Sequence, residues 1–177
     1  LGPAAERVRG IVFTHLHDDH VGGLKALCDV IKAPIPVFMT EAQSEHTNHT
    51  TRGGRQLVRR SGCVREQRLH GEGPCAVEGF PGVGVIHAGG HTPGSQIVVA
   101  YVGDRGFAFV GDIANSIDGI RREVPKPYFY SLLVVPEDRE RLAELRGFLR
   151  LLADDHHLTV VPAHDERWIA QTGIDPW

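Results

Sequence analysis

The chain has 177 residues, 41% hydrophobic and 23% charged, with a net charge of -3 when histidine is neutral. That balance suits one globular domain with a core of its own and excludes the basic field that nucleic-acid binding requires. No apolar stretch approaches the ~20 residues of a membrane span. Cys28, Cys63 and Cys75 form an odd, sparse set without a C-x-x-C pair, so free thiols are expected rather than a disulfide framework. The chain begins at Leu1 and its single methionine is Met39, which leads us to expect a processed or partial chain, cytoplasmic in location.

Taken in order, residues 8–13 read as a strand and 22–32 as a helix with Leu24, Leu27, Cys28 and Ile31 on one face. Pro34 and Pro36 end that helix, and 36–39 is a short strand. Residues 41–60 are polar and part helical, with an interruption expected at Gly53-Gly54. Strands follow at 63–69, 75–80, 83–87, 96–102 and 107–110, separated by turns such as 70–74 and 103–106. Pro136, Glu137 and Asp138 suit the first turn of a helix over 136–153, whose buried face is Leu142, Leu145, Phe148, Leu149 and Leu152. A strand at 158–161 and a helix at 166–171 complete a mixed α/β domain.

The first strand feeds into His15-Leu16-His17-Asp18-Asp19-His20, in which His15, His17, Asp19 and His20 fall on the pattern H-x-H-x-D-H. Imidazole and carboxylate at that density are what a zinc-like cation takes as ligands. Burying so many ionisable groups is costly without a compensating charge. Three other strands end in the same kind of side chain. Residues 83–86 lead to His91 in His91-Thr92-Pro93-Gly94, 107–110 to Gly111-Asp112, and 158–161 to His164-Asp165. If 96–102 and 107–110 pair around the turn 103–106, Asp112 falls opposite about Ile97 at the sheet end that carries His91.

With those four segments in order, the chain resembles the metallo-β-lactamase-fold hydrolases, and within them the lactonase and glyoxalase-II branches more than the lactamases with a cysteine ligand. The resemblance implies an αββα sandwich, a single domain over 1–177, N-terminally truncated because only Leu1 to Gly10 stand where family members have further strands. It implies two divalent metal ions, zinc first, with iron or manganese as alternatives. His15, His17 and His91 would hold one ion, Asp19, His20 and His164 the other, and Asp112 would bridge them. Asn115 stands where lactonase-like relatives often carry a tyrosine.

Two such ions about 3.5–4 Å apart can hold a hydroxide that attacks a carbonyl carbon. The expected activity is therefore hydrolysis of a small lactone, ester, thioester or lactam, with Asp19 as the catalytic proton carrier. An iron-dependent redox enzyme of the same fold, and a core fragment that binds metal without chemistry, are the alternatives. The expected partner is a small molecule, with neither nucleic acid nor membrane. Asp18 is expected outside the ligand set. Thr14 and Thr92 either orient histidines or cap turns. His46, His49, His70, His87, His156 and His157 read as solvated, as do Arg121 and Arg122 unless they attract an acidic substrate. Tyr128 and Tyr130, in a proline-rich loop, either line the pocket or pack.

Overall fold

The computed structural model of the chain describes residues 3–71, 74–154 and 157–174. A 3-10 turn at Pro3–Arg7 precedes β1 (Ile11–Val12), α1 (Asp18–Val21), α2 (Leu24–Cys28), β2 (Ile35–Thr40), α3 (Glu41–Glu45), α4 (Arg52–Arg60) and β3 (Val64–Leu69). The second half holds β4 (Cys75–Ala76), β5 (Val83–His87), β6 (Gln96–Val102), β7 (Arg105–Gly111), α5 (Ile117–Arg121), a π-helical turn at Tyr130–Val134, α6 (Arg139–Asp154), β8 (Leu158–Pro162) and α7 (Glu166–Ile169).

The strands form two sheets, β1-β2-β3 and β4-β5-β6-β7-β8. The first is all parallel, so helices must carry each crossover. The second is antiparallel up to β7, and β8 then returns parallel to β7 through α5 and α6. Three apolar clusters fix the layering. Leu16, Val21, Leu24, Val37, Met39 and Val58 join α1, α2 and α4 to one face of the first sheet. Ile97, Ala108, Val110, Ile120, Leu145 and Leu149 join α5 and α6 to one face of the second. Phe38, Val77 and Val85 pack between the sheets. The order is therefore helix, sheet, sheet, helix, as expected.

Several elements depart from the sequence reading. The first strand is two residues long, because Val8 is taken up in closing the preceding turn onto the Ala5 carbonyl. The helix expected over 22–32 starts earlier and breaks in two, and its second half ends at Cys28. Cys28 and Cys63 are not free thiols but a disulfide that ties the end of α2 to the approach of β3. Gly53 and Gly54 lie inside α4 rather than interrupting a helix. The break falls before them, where Asn48 Oδ1 accepts from the Thr50 and Thr51 amides. Gly54 is the position where α4 backs onto the Leu16 carbonyl, which a Cβ would overlap. The strand expected over 75–80 is only Cys75–Ala76.

The β6–β7 hairpin pairs Val98 with Phe109 and Val102 with Arg105. Its turn is thus tighter than 103–106, and the register places Ile97 opposite Val110 instead of Asp112. The geometric conclusion survives, since Asp112 still emerges at the end of β7 nearest the His91 loop. α6 begins at Arg139 rather than Pro136, with Asp138 accepting the Arg141 amide. That start frees Glu137 from the helix. Phe148 on α6 is exposed, not buried. The expected turn at 70–74 includes Glu72 and Gly73, and these, like His156, lie outside the described residues. Among the described residues no helix is long and apolar enough to cross a membrane.

Candidate metal centre

Four strand ends deliver the cluster to one edge of the sandwich. His15 follows β1, His91 follows β5, Asp112 follows β7 and His164 follows β8. β7 and β8 run parallel with Gly111 beside Pro162, so Asp112 and His164 leave the sheet side by side. Two buried amides fasten the first sheet to the second. Gln96 Nε2 donates to the Phe13 carbonyl while its Oε1 accepts the Thr40 amide. Gln43 Nε2 donates to the Phe13 and Gly94 carbonyls. Gly111, at φ 54°, passes so close to β1 that an added Cβ would stand 2.7 Å from Thr14 Cβ. That approach sets Asp112 against His15.

The seven expected side chains meet in two groups. His15, His17, His91 and Asp112 form one, and Asp19, His20, His164 and Asp112 the other, with one donor atom from each residue within 4.8 Å of the rest. In the first, His17 Nδ1 lies 3.1 Å from His15 Nε2 and 3.2 Å from His91 Nε2. Asp112 Oδ2 is 3.6 Å from His91 Nε2. In the second, Asp112 Oδ1 is 3.3 Å from His20 Nε2 and 3.2 Å from His164 Nε2, while Asp19 Oδ2 is 3.5 Å from His164 Nε2. Asp112 thus presents one oxygen to each group.

The electrostatics fit a missing positive charge. Burial, with His20 and His91 adding to it, pushes the His15 pKa down to about 2. His17 is likewise lowered by burial and by His91. These rings are neutral and keep a lone pair. Burial would raise the Asp112 pKa, but the surrounding His20, His15 and His91 rings hold the carboxyl well below the usual range, so it is charged. His20 Nε2 and Asp112 Oδ1 are both buried and lack a hydrogen-bond partner. Buried polar atoms left without partners are a standing cost that a cation would remove.

The ring nitrogens facing away from the cluster fix the tautomers. His17 Nε2 donates to Thr50 Oγ1 at 2.8 Å, because the Thr50 hydroxyl proton is already given to Asn48 Oδ1. His91 Nδ1 donates to Glu137 Oε1 at 2.7 Å. Thr14 Oγ1 lies 3.4 Å from His15 Nδ1, a weak version of its expected orienting role. Thr92 touches Ser95 instead and closes a turn. Sequence reasoning missed Thr50, Glu137, Lys126 and Ser131. Only the neighbourhood of His46 and His49, the latter adjacent to Thr50, hinted at the first.

The remaining expectations sort cleanly. Asp18 is exposed and in neither group. His46, His49, His70, His87 and His157 are exposed. The Asp165 carboxylate accepts the Ile117 and Trp168 amides, joining the His164 loop to α5. Arg121 lies over the Trp168 ring. Tyr130 faces the centre, where burial and then the charges of Asp112, Glu137 and Asp19 raise its pKa, whereas Tyr128 is exposed under Arg139. The two groups differ in access. His15 and His91 are buried, while the Asp19 and His164 side chains are 58% and 54% exposed. The cluster is closed on the first side and open on the second.

Comparison of the sequence with curated proteins gives no significant match. Among solved structures the chain is similar to an N-acyl homoserine lactone hydrolase with the product N-hexanoyl-L-homoserine at its catalytic metal centre, with a TM-score of 0.66 at 19% identity over 94% of this chain. It spans 60% of that hydrolase's length. A protein in a di-iron-bound form gives 0.53 at 23% identity, covering 93% of this chain and 75% of that one. A probable metal-dependent hydrolase from Staphylococcus aureus gives 0.57 at 15% identity, with 92% and 56% covered. Likenesses at these identities speak to the fold. The sequence itself matches the metallo-beta-lactamase superfamily model over residues 1–164, so the four strand-end motifs and the layered fold are those of a chain that belongs to the metallo-beta-lactamase superfamily.

Proposed function

We propose that the chain acts as one domain and as a metal-dependent hydrolase of small carbonyl substrates, holding two divalent cations. The observation that carries this is Asp112, whose two oxygens face two separate sets of imidazoles. His15, His17 and His91 would hold one cation, Asp19, His20 and His164 the other, and Asp112 would serve both. Divalent cations there supply an acidified water and a Lewis acid for a carbonyl oxygen. An all-nitrogen-and-oxygen donor set without thiolate suits zinc, iron or manganese, and we take zinc first.

The chain's own groups complete the chemistry. Two carboxylates cannot neutralise two divalent cations, so the loaded centre favours a lactone, ester, thioester or lactam over a cationic ligand. A substrate arrives on the open side, between Asp19 and His164. The exposed Asp19 carboxylate is placed to hold the proton of the attacking water and pass it to the leaving group. Tyr130 presents its phenol near the same carboxylates, protonated as a phenol is at neutral pH, and can donate to a developing oxyanion. Metal analysis coupled to a screen of lactones, thioesters, β-lactams and phosphodiesters tests the proposal. Two cations per chain with turnover of a carbonyl substrate supports it, and full turnover by metal-stripped protein overturns it. The similar structure in a di-iron form keeps one second reading, an iron redox enzyme, which requires iron as the bound metal and no hydrolysis.

A further inference from the structure

A buried ion pair sits directly behind the closed side of the centre. The Lys126 and Glu137 side chains are 7% and 0% exposed, and Lys126 Nζ lies 2.6 Å from Glu137 Oε1. Glu137 Oε1 also takes the His91 Nδ1 proton, and Oε2 takes the Ser131 hydroxyl. Lys126 Nζ donates in addition to the backbone carbonyl of Asp112. Its 3.2 Å approach to His91 Nδ1 is no hydrogen bond once that nitrogen carries the proton given to Glu137, and two nearer oxygens take two of the three ammonium protons. The Asp138 amide donates to the Gly90 carbonyl at 2.8 Å, which fixes the Glu137 backbone against the His91 loop.

Such a pair needs a reason. A buried salt bridge is weak evidence for stability, because well-packed apolar residues often do as well. Its reach is what stands out. From the connection between α5 and α6 it touches one ligand after β5 and another after β7. Lys126 donates to Glu137 Oε1 and Ser131 to Oε2, so the carboxylate meets His91 as a charged acceptor. A charged acceptor that cannot donate fixes the proton on His91 Nδ1 and turns the Nε2 lone pair into the first group. It also raises the electron density of the ring. His17 has only a hydroxyl in that place and His15 only a distant one.

We infer that Glu137 and Lys126 are positioning residues that set cation affinity in the His15–His17–His91 group and lock residues 126–131 to the loaded centre. The inference rests on the two-cation reading above. The test is a titration of cation-free protein with zinc against a chromophoric chelator, repeated with cobalt for its absorption bands. Wild type is expected to take two cations. Glu137→Gln should keep one at wild-type affinity and bind the other about 10–100-fold more weakly, with one set of cobalt bands shifted. Lys126→Met should act in the same direction, and the double variant should lose less than the two single losses combined. Glu137→Gln that loads both cations with unchanged affinity and bands overturns the inference while leaving the two-cation reading intact. Wild type that takes up no cation overturns both. Should circular dichroism show Glu137→Gln unfolded, Ser131→Ala decides. It keeps the charge pair and removes one bond to Glu137, and several-fold weaker binding of one cation is expected, whereas unchanged affinity overturns the inference.

Discussion

His17 is held from both ends of its ring, by the cluster at Nδ1 and by Thr50 at Nε2. His17→Ala is therefore expected to lose cation and activity together, as is Asp112→Ala, which deprives both groups at once. Metal content and turnover measured on the same preparations check this. Away from the centre, Arg55 and Ser44 bond to Glu66, with Arg55 Nη2 2.6 Å from Glu66 Oε2. Burial would raise the Glu66 pKa, yet the Ser44 and Arg55 bonds lower it below its ordinary value. A carboxylate depressed in the fold stabilises fully above its unfolded pKa, and that stability is lost as pH falls through the folded value. Glu66→Gln should cost about 1.5–3 kcal/mol at pH 7 and progressively less as pH drops below about 4 in urea melts. The seven residues that meet in the cluster were legible in the sequence as the H-x-H-x-D-H pattern and three strand-end motifs, taken together through the family they resemble. Glu137 and Lys126 were not, since a glutamate before a helix and a lysine between prolines serve many generic roles, and only the fold turns them inward.

At the scale of elements, periodicity read the long pieces well. Leu142, Leu145 and Leu149 of α6 are buried as expected, and β5 and β6 have the expected bounds. What periodicity could not see was whatever a distant partner decides. Gly54 reads as a helix breaker until Leu16 is found behind it, and Cys28 reads as a lone thiol until β3 brings Cys63 within reach. Mass analysis before and after reduction should show the bond, and the Cys28→Ser/Cys63→Ser pair should destabilise the fold by about 2–4 kcal/mol in urea. A disulfide persists in oxidising surroundings, so a cytoplasmic location and a lasting Cys28–Cys63 bond are opposed expectations. Gly111→Ala tests the contact between the sheets. A left-handed φ and the Thr14 clash together should cost at least about 1–3 kcal/mol and lower cation affinity, read by melting and metal titration.

For the molecule as a whole, the layering is two helix-backed sheets joined by the Phe38 cluster, two buried glutamines and the His/Asp cluster. Between the sheets runs a groove of about 490 Å³ lined by Val12, Phe13, Val98, Phe109 and Val161, so apolar contact alone does not close the sandwich. Cations that bridge four strand ends should then stabilise the fold by mass action. Chelation from about 100-fold above the dissociation constant should lower the melting temperature by roughly 5–10 °C, and zinc should restore it. The layering was legible from the alternation of strands and helices, whereas the groove between the sheets was not, because it depends on how far apart they stand.

The unequal exposure of the two halves of the cluster also sets an order in time. A chelator diffusing in from solvent meets Asp19 and His164 first, while His15 and His91 lie behind them under the Lys126–Glu137 pair. Metal should leave in two kinetic phases, a fast one from the exposed half and a slow one limited by local opening of the wall, and reloading should run in the reverse order. Protein handled briefly with chelator would then carry one ion per chain, the inner one.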